Sequence, residues 1–133
     1  MIRTLSLFAL ATFAASAMAA ESIVDVVKTT QGWTGNTYVA YGSGQPEITM
    51  ERIDVPAHWC LPWHVHTGIA TTYVVSGAMD LQDQVTGKSL HLVAGDGFGE
   101  SVNEVHRACT GYETAQLIRV HAGIKGQPTS INQ

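Results

Sequence analysis

The sequence predicts an all-β sandwich or barrel, and three observations carry that prediction. Short segments alternate apolar and polar residues with period two, a Gly or Pro stands at nearly every break, and no segment sustains a helical period.

In chain order, "SIVDVVKTTQGW" runs up to Gly32, and its residues 22–28 are long enough for one or two helical turns. A loop rich in glycine and proline follows, through Gly42, Gly44 and Pro46. "EITMERIDV" then sets Ile48 and Met50 on one face of an extended chain and Ile53 and Val55 on the other. "TTYVVSGAMDLQDQ" is β-branched and aromatic, with Met79 and Leu81 pointing one way in its second half. "GKSLHLVAGDGF" alternates Leu90 and Leu92 against Ser89 and His91, so His91 should face solvent. "ETAQLIRVHAG" places Ile118 and Val120 opposite Leu117 and Arg119, and the polar tail "GIKGQPTSINQ" either adds an edge strand or frays.

The 133 residues suit one domain, and the first nineteen should not be counted in it. A short positive start, "MIR", an apolar run, "TLSLFALATFAASA", and the small residues "AMAA" are laid out as a secretory signal peptide, residues 1–19. The mature domain, 20–133, should therefore be exported, to the periplasm. Without Arg3 it holds 6 basic and 11 acidic residues and no basic stripe, which argues against nucleic acid or an anionic membrane as partner. No later apolar run approaches the roughly 20 residues that span a bilayer. In an oxidising compartment, Cys60 and Cys109 favour a disulfide over two free thiols.

"HWCLPWHVHTGIATTYVVSG" carries the chemistry. On a strand, His64 and His66 point the same way from residues about 6.6–6.8 Å apart, so two imidazoles can lean onto one ion. An isolated H-x-H is more often a surface or hydrogen-bonded pair. Here a strand ending at Gly77 follows, then a hairpin region with Gly87, a Gly-Asp turn at Gly95 and Asp96, and a third histidine, His106.

That ordered pattern resembles the two motifs of the cupin superfamily, G-x5-H-x-H-x3-4-E-x6-G and G-x5-P-x-G-x2-H-x3-N. The resemblance covers Glu47 to Gly123 and implies a small antiparallel jelly-roll barrel with a metal inside, held by His64, His66 and His106. The chain departs from the pattern in three places. Ala70 occupies the glutamate position, Ala57 or His58 stands where the first glycine belongs, and "SVNE" at 101–104 replaces the usual turn before His106. A methyl group cannot coordinate, and Glu100, six residues before His106, is the candidate replacement. The chain also resembles small exported cupins that pair a non-glutamate at the Ala70 position with a Glu at the Glu100 position. The competing reading of Glu100 is a solvated residue at the barrel rim.

In a jelly roll the strands bearing His64 and His106 lie side by side. Antiparallel partners keep a constant index sum, so Cys60 comes within one residue of facing Cys109, and a bulge at Pro62 would close the slip. Tyr73, Phe98 and His121 are the candidate substrate-binding residues, and His58 is read as structural. The expected cofactor is one divalent transition metal ion, Fe, Mn, Ni, Zn or Cu. The resemblance implies a metal-dependent small-molecule enzyme of oxygenase, isomerase or lyase type. The alternative is a non-catalytic module that binds a small ligand or a metal, and the residues leave enzyme or binder open. A homodimer is also expected from the resemblance.

Overall fold

The structure, a computed structural model, describes residues 21–133. The expected signal peptide, residues 1–19, lies outside the described residues. Nine strands form among those described, and no helix: β1 Pro46–Val55, β2 His64–His66, β3 Ile69–Ser76, β4 Ala78–Asp83, β5 Ser89–Val93, β6 Gly97–Gly99, β7 His106–Cys109, β8 Ala115–Ile124 and β9 Ser130–Asn132. They make two antiparallel sheets, β1-β8-β3-β6 and β5-β4-β7-β2-β9. This is the jelly roll that the patterning and the resemblance led us to expect.

Alternation decides what each sheet buries. On the first sheet Val55, Val74, Ala115 and Leu117 turn inward, and on the second Met79, Leu81, Leu92 and Ala108 do; together with Phe98 they form one core. Burying each of the larger side chains stabilises the fold by about 1.5–3 kcal/mol. Ile48 and Met50 take the outer face of β1 and are exposed, while His91 lies at the surface beside Asp80. The β3–β4 corner requires glycine: Gly77 has φ +76°, and a Cβ there would collide with the Thr114 carbonyl oxygen.

Two segments settle what the sequence left undecided. Residues 22–28 are not helical; they run extended past β6, with the Val26 and Val27 side chains against the space where a Gly97 Cβ would sit. Their β-branched valines suit that course better than a helix. The polar tail adds an edge strand, with β9 pairing to β2 through Val65 and Ile131.

His64 pairs directly with His106, and an isolated bridge joins Cys60 to Cys109. Residues 61–63, between Cys60 and β2, leave the regular ladder and absorb the one-residue slip. The two cysteines are joined as a disulfide. Closing that loop contributes about 2–4 kcal/mol and ties together the two strands that carry the histidines.

Candidate metal centre

His64 and His66 point inward from β2, and His106 points inward from the first position of β7. All three are buried, His66 with no exposed surface at all. Ring centroids lie 4.7 Å apart for His64 and His106, 5.0 Å for His64 and His66, and 5.1 Å for His66 and His106. One nitrogen from each ring falls within 4.8 Å of the others, close enough for the three to hold one ion.

Each ring is held from behind. Nδ1 of His64 faces the Pro62 carbonyl oxygen at 2.8 Å, that of His106 the Glu104 carbonyl at 2.8 Å, and that of His66 the Thr129 carbonyl at 3.3 Å. A carbonyl only accepts, so each Nδ1 carries the proton and, in the neutral ring, each Nε2 presents a lone pair. Main-chain carbonyls orient metal-ligating histidines in this way.

Glu100 closes the cluster. It is 3% exposed, and its Oε2 lies 3.4 Å from Nε2 of both His66 and His106. Those contacts are close enough for charge attraction but misaligned for hydrogen bonding, and both Nε2 atoms are buried without a hydrogen-bond partner. The other carboxylate oxygen, Oε1, accepts from Thr72 Oγ1 at 2.5 Å. Burial alone would raise the Glu100 carboxyl, but the two facing imidazoles outweigh it and hold the group well below the usual carboxylate range. Burial pushes His64 down to about 4, whereas at His106 the Glu100 carboxylate overcomes burial and raises the imidazole.

The donor set therefore fits a metal. Glu100 favours a cation at this spot: with the rings neutral, the Nε2 lone pairs of His66 and His106 meet an ionised carboxylate, acceptor against acceptor, in a buried place. A cation between them satisfies every group at once.

No protein-family model matches the chain, and no curated protein matches it in sequence. Solved structures do match. The DMSP lyase DddQ from Ruegeria pomeroyi DSS-3 superposes with a TM-score of 0.57 at 14% identity, over 65% of this chain and 43% of the lyase. A cupin-like protein from Thermotoga maritima superposes with a TM-score of 0.56 at 16% identity, over 68% of this chain and 77% of that one. The chain has the cupin fold. The polyketide cyclase RemF from Streptomyces resistomycificus is a further match, with a TM-score of 0.55 at 22% identity over 68% of this chain and 62% of the cyclase. The match takes in less than half of the lyase and about three fifths of the cyclase.

The fold explains the Ala70 departure. Thr71 on β3 pairs with Gly99 on β6, and one step along the same ladder the Glu100 amide donates to the Ala70 carbonyl at 2.9 Å. Ala70 and Glu100 are cross-strand neighbours on the inner face, and Ala70 is 3% exposed. From that position on the adjacent strand the Glu100 carboxylate reaches Thr72, His66 and His106. No rim-exposed, solvated Glu100 is compatible with that burial.

The other candidate residues separate. His121 is inward, its ring 5.3 Å from that of His66 and its Nε2 3.3 Å from Glu51 Oε2. Burial and then the nearby Arg119 guanidinium lower its basicity, which keeps the ring neutral. Phe98 is buried in the core and lines a small internal cavity with Glu100 and His106. Tyr73, 41% exposed, lies on the outer face of β3, in a groove with Val26, Tyr41 and Val120, on the other side of the sheet from the histidines. His58 has φ +55° and packs edge-on to Tyr112.

Sequence reasoning passed over Glu51 and Arg119. Nε and Nη2 of Arg119 both donate to Glu51 Oε2, at 2.9 and 2.7 Å. Burial would raise Glu51, but the Arg119 hydrogen bond outweighs it and lowers the carboxyl. The signal was parity: Arg119 shares a face with Leu117 and His121, which puts a guanidinium indoors, where it needs a partner.

Proposed function

We propose that this cupin binds one divalent transition metal ion through His64, His66, His106 and Glu100, and that it is a metal-dependent enzyme acting on a small molecule. The observation that carries the reading is the convergence of three buried imidazoles, each fixed by an Nδ1–H to a main-chain carbonyl, with Nε2 of two of them, His66 and His106, facing a buried carboxylate. Three imidazoles and one carboxylate suit Fe, Mn, Ni, Zn or Cu.

A bound metal would supply Lewis-acid polarisation of a substrate oxygen and open coordination positions. The chain's own residues do the rest. The three carbonyls hold the imidazole tautomers, Thr72 anchors the far oxygen of Glu100, and Trp33, edge-on to His106 at 6.1 Å, walls off the cluster. A solvent-open pocket of about 350 Å3 reaches His64, and Glu51, Leu61, Arg119 and Ser130 line it. That pocket favours the enzyme reading, because a ligand can come to one edge of the centre.

A second reading, a non-catalytic module that holds a metal or small ligand, draws support from the interior. The cavity among Phe98, Glu100 and His106 is only about 10 Å3, room for about one water. Lyase and cyclase appear among the matched folds, but a shared fold does not select a reaction. The signal-peptide layout of residues 1–19 and the disulfide support export to the periplasm.

Elemental analysis of the untagged mature protein tests the reading. About one equivalent of a transition metal is expected, lost on His66→Ala and reduced on Glu100→Ala. Metal-free protein after reconstitution would sink both the enzyme and the metal-module readings.

A further inference from the structure

The solvent-open pocket over His64 and the small cavity beside Glu100 and His106 share one wall, and Arg119 and His64 are both part of it. The Arg119 side chain is 12% exposed. A guanidinium has five N–H donors in a planar fork. Among the described residues Glu51 takes two of them, both on one oxygen, and the other three have no partner. A mostly buried guanidinium with donors not taken by the protein thus stands in the wall between the pocket and the histidine cluster.

We propose that Arg119 anchors the carboxylate of a small monocarboxylate ligand that comes in over His64, with Glu51 occupying part of the fork until the ligand binds. The proposal rests on the metal-centre reading for what the ligand's other end meets. Glu51 displays the recognition chemistry itself, since the guanidinium already holds a carboxylate by charge-assisted bonds. A neutral ligand would forgo the charge assistance of the guanidinium, and an ammonium would be repelled by Arg119. A second negative charge on the ligand would meet Glu51, so one carboxylate fits and two do not. The free volume, about 350 Å3, suits a small molecule, and Ser130 and Asn132 offer neutral polar contacts at its outer edge.

Calorimetric titration of the zinc-loaded protein with propionate and with its neutral amide, propionamide, tests the assignment. Metal content is measured on every sample. Propionate should bind about tenfold or more tightly than propionamide, in keeping with a charge-assisted pair. Arg119→Met should abolish that preference, and Glu51→Gln should strengthen propionate binding by about threefold, because the internal competitor loses its charge. A variant that merely damaged the fold would weaken binding in both cases, so the opposite directions identify the anchor. Equal affinity for acid and amide, or a preference that survives Arg119→Met, would overturn the proposal. Absence of zinc with an intact, Arg119-dependent preference for propionate would support the anchor and count against the metal centre instead.

Discussion

The inner face of the β1-β8-β3-β6 sheet runs across the same four strands from end to end, yet its two ends hold opposite chemistry. At one end Val55 pairs with Ala115, and Ile53, Leu117 and Val74 lie side by side in the next row. Two residues further along β8, Glu51, Arg119, Thr72 and Phe98 share a row, and the last row is Thr49, His121, Ala70 and Glu100. The apolar rows stabilise the fold by excluding water. The polar rows bury an acid, a guanidinium and an imidazole, each costly unless partnered. One end of the sheet thus carries the stability that lets the other end hold a strained electrostatic arrangement, open on one side to a pocket.

The comparison is most strongly tested at its apolar end. Leu117→Ala, on the same strand as Arg119 and His121, should destabilise the protein by about 2–5 kcal/mol in urea unfolding. The folded fraction should retain its metal content. A loss under about 1 kcal/mol would mean that the stability does not reside in those rows.

Ala70→Glu strikes the polar end where two side chains compete for one space. With Glu100 present, a second inward carboxylate should cost about 1–3 kcal/mol through crowding and like charge. Combined with Glu100→Ala, it should restore much of the metal binding that Glu100→Ala alone removes, read as metal equivalents per chain. Failure of the double substitution to recover metal would show that the carboxylate positions on β3 and β6 are not interchangeable.

The smallest effect is expected in the middle row. Glu51→Gln should lower stability at pH 7 by no more than about 1 kcal/mol, since Glu51 is only partly buried and its pair with Arg119 is partly screened. The folded-state carboxyl is depressed below its ordinary value, so its contribution is present above the unfolded pKa and disappears as pH falls through the folded one. Urea midpoints of wild type and variant should therefore converge toward acid pH. A gap that widened there would reverse the assigned sign.

Much of this was legible before any coordinates. The alternation that predicted strands also predicted that Ile53 and Val55 turn away from Ile48 and Met50, and the structure places the first pair inside and the second outside. Less legible was Tyr73: its aromatic ring suggested a pocket, but parity within β3 sets it opposite to Ala70 and Thr72, on the outer face. The N-terminal valines were ambiguous because seven residues with mixed patterning satisfy either a helical turn or an extended strap, and only packing against the β6 glycines chose.

The sequence by itself determined which side chains share a face. Period-two geometry is local, so it aligned His64 with His66 and put Arg119 with His121. Only the tertiary structure decided which strands lie next to each other. Glu100 stands beside Ala70, and Glu51 beside Arg119, because β3 pairs with β6 and β1 with β8 across long stretches of chain. No local pattern encodes those lateral contacts; they follow from how two sheets bury their apolar faces together. The chemistry of the centre depends on them.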